Sequence, residues 1–135
     1  MVRNYRRGFG PRRLVLLLTT TGRKSGQPRL TPLQYEQVQG VIYIASARGQ
    51  AADWFRNLLA DPRVYFQIGD RRVAALAEPI TDPARIAAFL ELRRRRHPLM
   101  IRLIMLFEGV SPWTGRSRLE EFARGKALVA LHSCE

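Results

Sequence analysis

The stretch Gly22-Arg23-Lys24-Ser25-Gly26 holds the densest set of donors in the chain. Its two glycines permit positive φ, so consecutive backbone N–H groups can converge into an anion-binding nest. Arg23, Lys24 and Ser25 add side-chain donors, and Arg29 returns on the far side of the loop to face it. A phosphate held there receives charge-assisted hydrogen bonds from several directions. Neither the spacing nor the following helix of a Walker loop is present. A hairpin turn with solvated charges is the competing reading, because basic glycine turns are common.

A second group of residues suits a flat ring. The run Ala45-Ser46-Ala47-Arg48-Gly49 ends an apolar segment with a hydroxyl and a glycine. Ser46 and nearby backbone amides there offer hydrogen bonds to a ring edge, although an ordinary strand exit looks the same. Trp54 and Asn57 lie three apart, on one face of a helix. Trp54 can flank an aromatic ligand or fill the core, and Asn57 can hold a ligand or a loop carbonyl. The single cysteine, Cys134, excludes a disulfide within the chain and fits a reducing cytoplasm. His97 and His132 have no ligand-spaced neighbours, so no metal site is expected.

Short strands must carry these groups. Arg13–Thr20 is apolar and β-branched, the pattern of a strand buried on both faces. Strands are expected over Arg29–Gln37, Val41–Ser46, Val64–Ile68, Arg72–Glu78 and Ala127–His132. Turns fall at Val38-Gln39-Gly40 and Gly69-Asp70. Helical spacing spans Ala51–Leu59 and stops before Asp61-Pro62. A second helix opens at Asp82-Pro83, an N-cap followed by proline at the first position, and runs to about Arg94. The fold expected is mainly β with α, a closed or split barrel of about six strands with helices packed outside. Residues 1–12 read as a basic flexible arm and residues 13–135 as a single cofactor-binding domain.

The 135 residues carry a net charge of +12, nearly all of it arginine, which attracts polyanions. Nucleic acid, an acidic membrane surface and an anionic cofactor are the classes of partner this charge suits. No RNP-like or helix-turn-helix motif accompanies it, so specific nucleic-acid binding is not expected. No apolar run reaches the roughly 18 residues of a spanning helix, and no export signal is evident. The expected location is cytoplasmic, with peripheral contact at the inner membrane face. Arg93–Arg96 reads as a solvated run at a helix C-terminus, and His97 as structural. The apolar Leu99–Phe107 suits a core helix, a homodimer face or one wall of a substrate pocket.

Together, LLTTTGRKSGQPRLTPLQY, VIYIASARG and DWFRNLLADPRVYFQIGDRRVAALA resemble the deazaflavin (coenzyme F-420)-dependent nitroreductase family. The similarity covers roughly Leu14 to Ala77. It implies a split barrel akin to FMN-binding barrels and an oxidoreductase that uses coenzyme F-420. The cofactor phosphate would sit on Arg23, Lys24, Ser25 and Gly26, with Arg29 beside it. Pro32 and Leu33 would line the groove, and Ala45, Ser46, Ala47 and Gly49 would border the ring. Trp54 and Asn57 would brace the far wall. The cofactor's oligoglutamate tail would account for the positive charge. FMN is the alternative cofactor, since it also carries a phosphate on a ribityl chain, and a non-catalytic carrier is the alternative role.

The chain departs from that family where Ala47 replaces a frequent lysine and Arg48 a frequent glycine. Nitroreducing members place tyrosines near the C-terminus, and here no tyrosine follows Tyr65. A hydrophobic acceptor such as a quinone or enone is therefore favoured over a nitroaromatic. Ser46 is the candidate proton donor, alongside a nearby tyrosine or water.

Overall fold

The computed structural model describes residues 15–46, 48–99, 120, 123–124 and 126–134. The N-terminal arm, Ala47, and the segment from Met100 to Phe107 lie outside the described residues. The strands are β1 (Val15–Thr21), β2 (Pro28–Val38), β3 (Val41–Ser46), β4 (Arg63–Ile68), β5 (Arg71–Ile80) and β6 (Ala127–Ser133). A 3-10 turn over Gly49–Ala51 leads into helix α1 (Asp53–Ala60), and helix α2 (Pro83–Arg96) follows β5. All neighbouring strands run antiparallel and close in the order β1-β2-β3-β6-β5-β4.

Turn chemistry sets the hairpins. Gln39 and Gly40 both take positive φ, 51° and 83°, as the tight turn between β2 and β3 demands. Gly69, with φ 62°, supplies the corresponding residue between β4 and β5. Proline opens α2 at its first turn, as expected, although Asp82 makes no side-chain capping hydrogen bond.

Strand alternation separates two apolar clusters. Inside the barrel, Leu16, Leu18, Ile44, Phe66 and Leu131 pack with Trp54, Phe55 and Leu58 of α1. Outside, Ile86 and Phe89 of α2 pack on Ile80, Leu128 and Ala130, with Tyr43 and Ala45 alongside. Fully burying a side chain as large as Phe55 or Leu58 contributes about 1.5–3 kcal/mol, which anchors α1 to the barrel. β1 corrects one expectation: only Leu16, Leu18 and Thr20 are buried, while their alternates are half-exposed. Antiparallel closure buries one face of this strand and leaves the other half-exposed.

The arginine run at the end of α2 also departs from expectation. Arg93 is buried, and two arginines and a histidine converge on the buried Glu36 of β2. Arg96 Nη1 donates to Glu36 Oε2 at 2.8 Å and to the Gln37 carbonyl at 2.9 Å. His97 Nε2 lies 3.0 Å from Glu36 Oε1. Residues 93, 96 and 97 share one helical face, so that face reaches Glu36 of β2 and Arg93 is drawn inward, while Arg95 and Arg96 stay exposed. Among the described residues, no helix is long and apolar enough to cross a membrane.

Candidate functional site

β1 and β2 are joined by the loop Gly22–Gln27, and α1 lies against it. Between them is a cavity of about 470 Å³ lined by Gly22, Arg23, Lys24, Ser25, Arg29, Leu30, Thr31, Asp53, Trp54 and Asn57. The fold thus brings the loop cations, Arg29, Trp54 and Asn57 to one place. Pro32 and Leu33 do not line this cavity: Pro32 is exposed, and Leu33 packs against the barrel core. Gly26 lies in an adjoining groove.

The loop cations have unlike tasks. Arg23 Nη1 donates to Asn57 Oδ1 at 2.8 Å, and Arg23 Nη2 pairs with Asp53 at 3.2 Å. The Arg23 backbone N–H also donates to Asn57 Oδ1, at 3.2 Å, while Asn57 Nδ2 donates to the buried Thr20 hydroxyl at 3.4 Å. Asn57 is therefore a hub that ties the loop to α1 and β1. Arg23 is largely spent on that tie. Lys24, by contrast, makes no ion pair with the described residues, and among them Arg29 hydrogen-bonds only the Ser25 hydroxyl, at 3.4 Å. These two carry the cavity's uncompensated charge.

The backbone contributes less than the glycines suggested. The N–H of Gly22 donates to the Gln27 carbonyl and that of Gly26 to the Gly22 carbonyl, each at 2.8 Å. The Gln27 N–H donates to Ser25 Oγ at 3.1 Å. Only the amides of Lys24 and Ser25 are left without a partner among the described residues. Ser25 Oγ accepts from Gln27 and Arg29, so its own proton remains available to a ligand. Gly26 holds φ 73°, a conformation that favours glycine.

At the end of β3, Ser46 is buried and its hydroxyl donates to the Gly49 carbonyl at 2.7 Å. That bond closes the turn into the 3-10 segment and commits the hydroxyl proton. Ala45 faces the outer cluster and Ser46 the opposite way. The two can border one ligand only through backbone. Trp54 is 8 % exposed and meets Phe55 edge-on at 6.1 Å, so it serves the core while showing an edge to the cavity. Among the described residues, no cluster of three metal-ligating side chains exists.

Residues 6–100 match the family model described as F-420H(2)-dependent quinone reductase. The chain belongs to that family. One relative placed in the same class, from Mycobacterium tuberculosis, is 37 % identical over 116 residues, covering 82 % of this chain and 91 % of the relative. The F-420H(2)-dependent quinone reductase of strain H37Rv is 37 % identical over 68 residues, which cover 48 % of this chain and 46 % of that protein. The chain thus spans about half the length of several curated relatives it matches. A solved F-420-H2 dependent reductase superposes with a TM-score of 0.60 at 22 % identity, covering 89 % of this chain and 95 % of that one. This likeness establishes the split-barrel fold expected from the sequence.

Gly22 offers a direct check on the family's loop in this chain. A Cβ built there would meet Ser25 Oγ at 2.7 Å and the Gln27 carbonyl at 3.2 Å. Gly22→Ala should displace Ser25 and weaken coenzyme F-420 roughly tenfold, the equivalent of one charge-assisted bond. Titration by tryptophan quenching measures it. Unchanged affinity would remove the loop geometry from the binding site.

Proposed function

We propose that this chain is a coenzyme F-420-dependent reductase whose acceptors are quinones or similar flat, apolar, electron-poor molecules. The observation that carries the reading is the division of labour in the loop. Arg23 is tied down by Asp53 and Asn57, which leaves Lys24 and Arg29 uncompensated beside the cavity. Two cations, the Ser25 hydroxyl and two unused amides suit the phosphate of a ribityl cofactor. Leu30, Thr31 and Trp54 extend the same wall with apolar surface. The family match supports the deazaflavin over FMN, and the family name supports quinones as acceptors.

The residues act by binding and positioning. Lys24, Arg29 and Ser25 fix the phosphate, and Asn57 and Arg23 hold the loop in place. Coenzyme F-420, when bound, supplies two-electron hydride chemistry. The protein's part is to leave one ring face open at near-attack distance from the acceptor. Ser46 is better placed as a positioning residue than as an acid, because its proton is held by Gly49. The proton that completes reduction then comes from water. The lack of tyrosine after Tyr65 removes the C-terminal hydroxyls that nitroreducing relatives place over their substrates.

Two titrations and a kinetic panel test the proposal. Coenzyme F-420 should bind at micromolar concentration or better, and more tightly than FMN. Stopped-flow oxidation of the bound, reduced cofactor should be fastest with quinones and enones. Tighter binding of FMN would overturn the cofactor choice. Rapid turnover of nitroaromatics with inert quinones would overturn the acceptor choice.

A further inference from the structure

Asp53 is the one acid among the described residues that line the cofactor cavity, beside the cations Arg23, Lys24 and Arg29. A carboxylate in a site that collects cations weakens every anion bound there. Asp53 stands in the first turn of α1, where its charge favours the helix dipole. It also reaches the β1–β2 loop. Its Oδ1 pairs with Arg23 Nη2 at 3.2 Å, and its backbone carbonyl accepts from Arg23 Nη1 at 3.4 Å. The Asp53 side chain is 84 % exposed against 24 % for Arg23, so the acid is the more open member of the pair to an incoming ligand.

The charge balance of the cavity turns on this residue. With Asp53 in place one of the three cations is offset, and Lys24 and Arg29 remain for a ligand. These two attract any phosphate, and most strongly the one with more charge. A terminal phosphate monoester, as in FMN, carries about −1.5 to −2 at pH 7. The bridged phosphodiester of coenzyme F-420 carries a single negative charge. Attraction alone therefore favours the monoester. A nearby acid acts in the opposite sense, because it repels the monoester up to about twice as strongly as the diester. Repelling the wrong ligand is a general route to selectivity.

We propose that Asp53 is a specificity-determining residue that turns the cavity toward a phosphodiester and against a phosphate monoester, which rests on the cofactor reading above. It acts on the charge at the phosphate, directly and by occupying Arg23 Nη2. An amide at position 53 removes the repulsion and frees that edge of the guanidinium. The loop stays docked, because the Arg23 backbone N–H and Nη1 still donate to Asn57.

The test is Asp53→Asn, titrated with FMN, riboflavin and coenzyme F-420 by tryptophan quenching. At about 0.1 M salt, screening over roughly 10 Å confines the effect to groups near residue 53. The variant should bind FMN roughly tenfold more tightly and coenzyme F-420 only about threefold, as the difference in phosphate charge requires. Riboflavin, which lacks the phosphate, should be unmoved, and Asp53→Glu should keep the natural preference. Equal changes for FMN and coenzyme F-420 would overturn the role while leaving the cofactor reading intact. So would a change for riboflavin as large as that for FMN, the mark of a purely structural effect on α1. A natural chain that binds FMN more tightly than coenzyme F-420 would overturn the cofactor reading and this role with it.

Discussion

Replacing Lys24 and Arg29 together by alanine should weaken coenzyme F-420 about a hundredfold or more while hardly moving the melting temperature. Each charge-assisted hydrogen bond is worth about 1.5–3 kcal/mol, and about 1.4 kcal/mol is a factor of ten in affinity. Both side chains are exposed, and neither makes an ion pair among the described residues. Removing them therefore leaves no buried group unsatisfied. Arg23→Ala should behave differently. It deletes the side-chain contacts to Asn57 and Asp53 that help hold the loop to α1, so stability and affinity should fall together. Isothermal titration beside thermal unfolding separates the outcomes. A large stability loss with unchanged affinity in the double variant would return Lys24 and Arg29 to ordinary surface charge.

That contrast shows what could be read from the residues alone. The loop between β1 and β2, the Gln39-Gly40 turn and the Asp82-Pro83 helix start are local events. Glycine, proline and alternation encode them within a few residues, and the strands lie within a few positions of where the pattern puts them. The ring order is not local. β6 pairs with both β3 and β5, and β1 with β4, and alternation along a strand says nothing about its partner. The site divides the same way. Arg23, Lys24 and Arg29 look equivalent in sequence, and only the folded chain brings Asp53 and Asn57 to the first of them. Ser46 likewise looks like a free hydroxyl until Gly49 takes its proton. Glu36 was missed outright, because within LQYEQV it has the look of a solvated residue. The signal that could have found its partners is the shared face of residues 93, 96 and 97.

Glu36→Ala should be among the most destabilising single substitutions in the chain, at about 3–5 kcal/mol, the usual effect of stranding a buried charge. Arg93 is 7 % exposed, and its Nε is buried 3.5 Å from Glu36 Oε1 without a hydrogen-bond partner. Burial pushes the Arg93 guanidinium below its ordinary range, and Glu36 pulls it back. Without the carboxylate, Arg93 keeps, among the described residues, a 3.3 Å contact to Gln34 and the Phe89 ring face at 6.0 Å. Arg96 and His97 would lose their acid partner in the same step, freeing the end of α2 from β2. Against a typical total of about 5–15 kcal/mol, such a loss is visible in any denaturant melt. The cause can be isolated. Glu36→Leu with Arg93→Met removes both buried charges and keeps the volume, so most of the lost stability should return. A Glu36→Ala effect below about 1 kcal/mol would place the pair among surface ion pairs of little weight. Failure of the double replacement to recover would instead assign the loss to the Arg96 and His97 contacts.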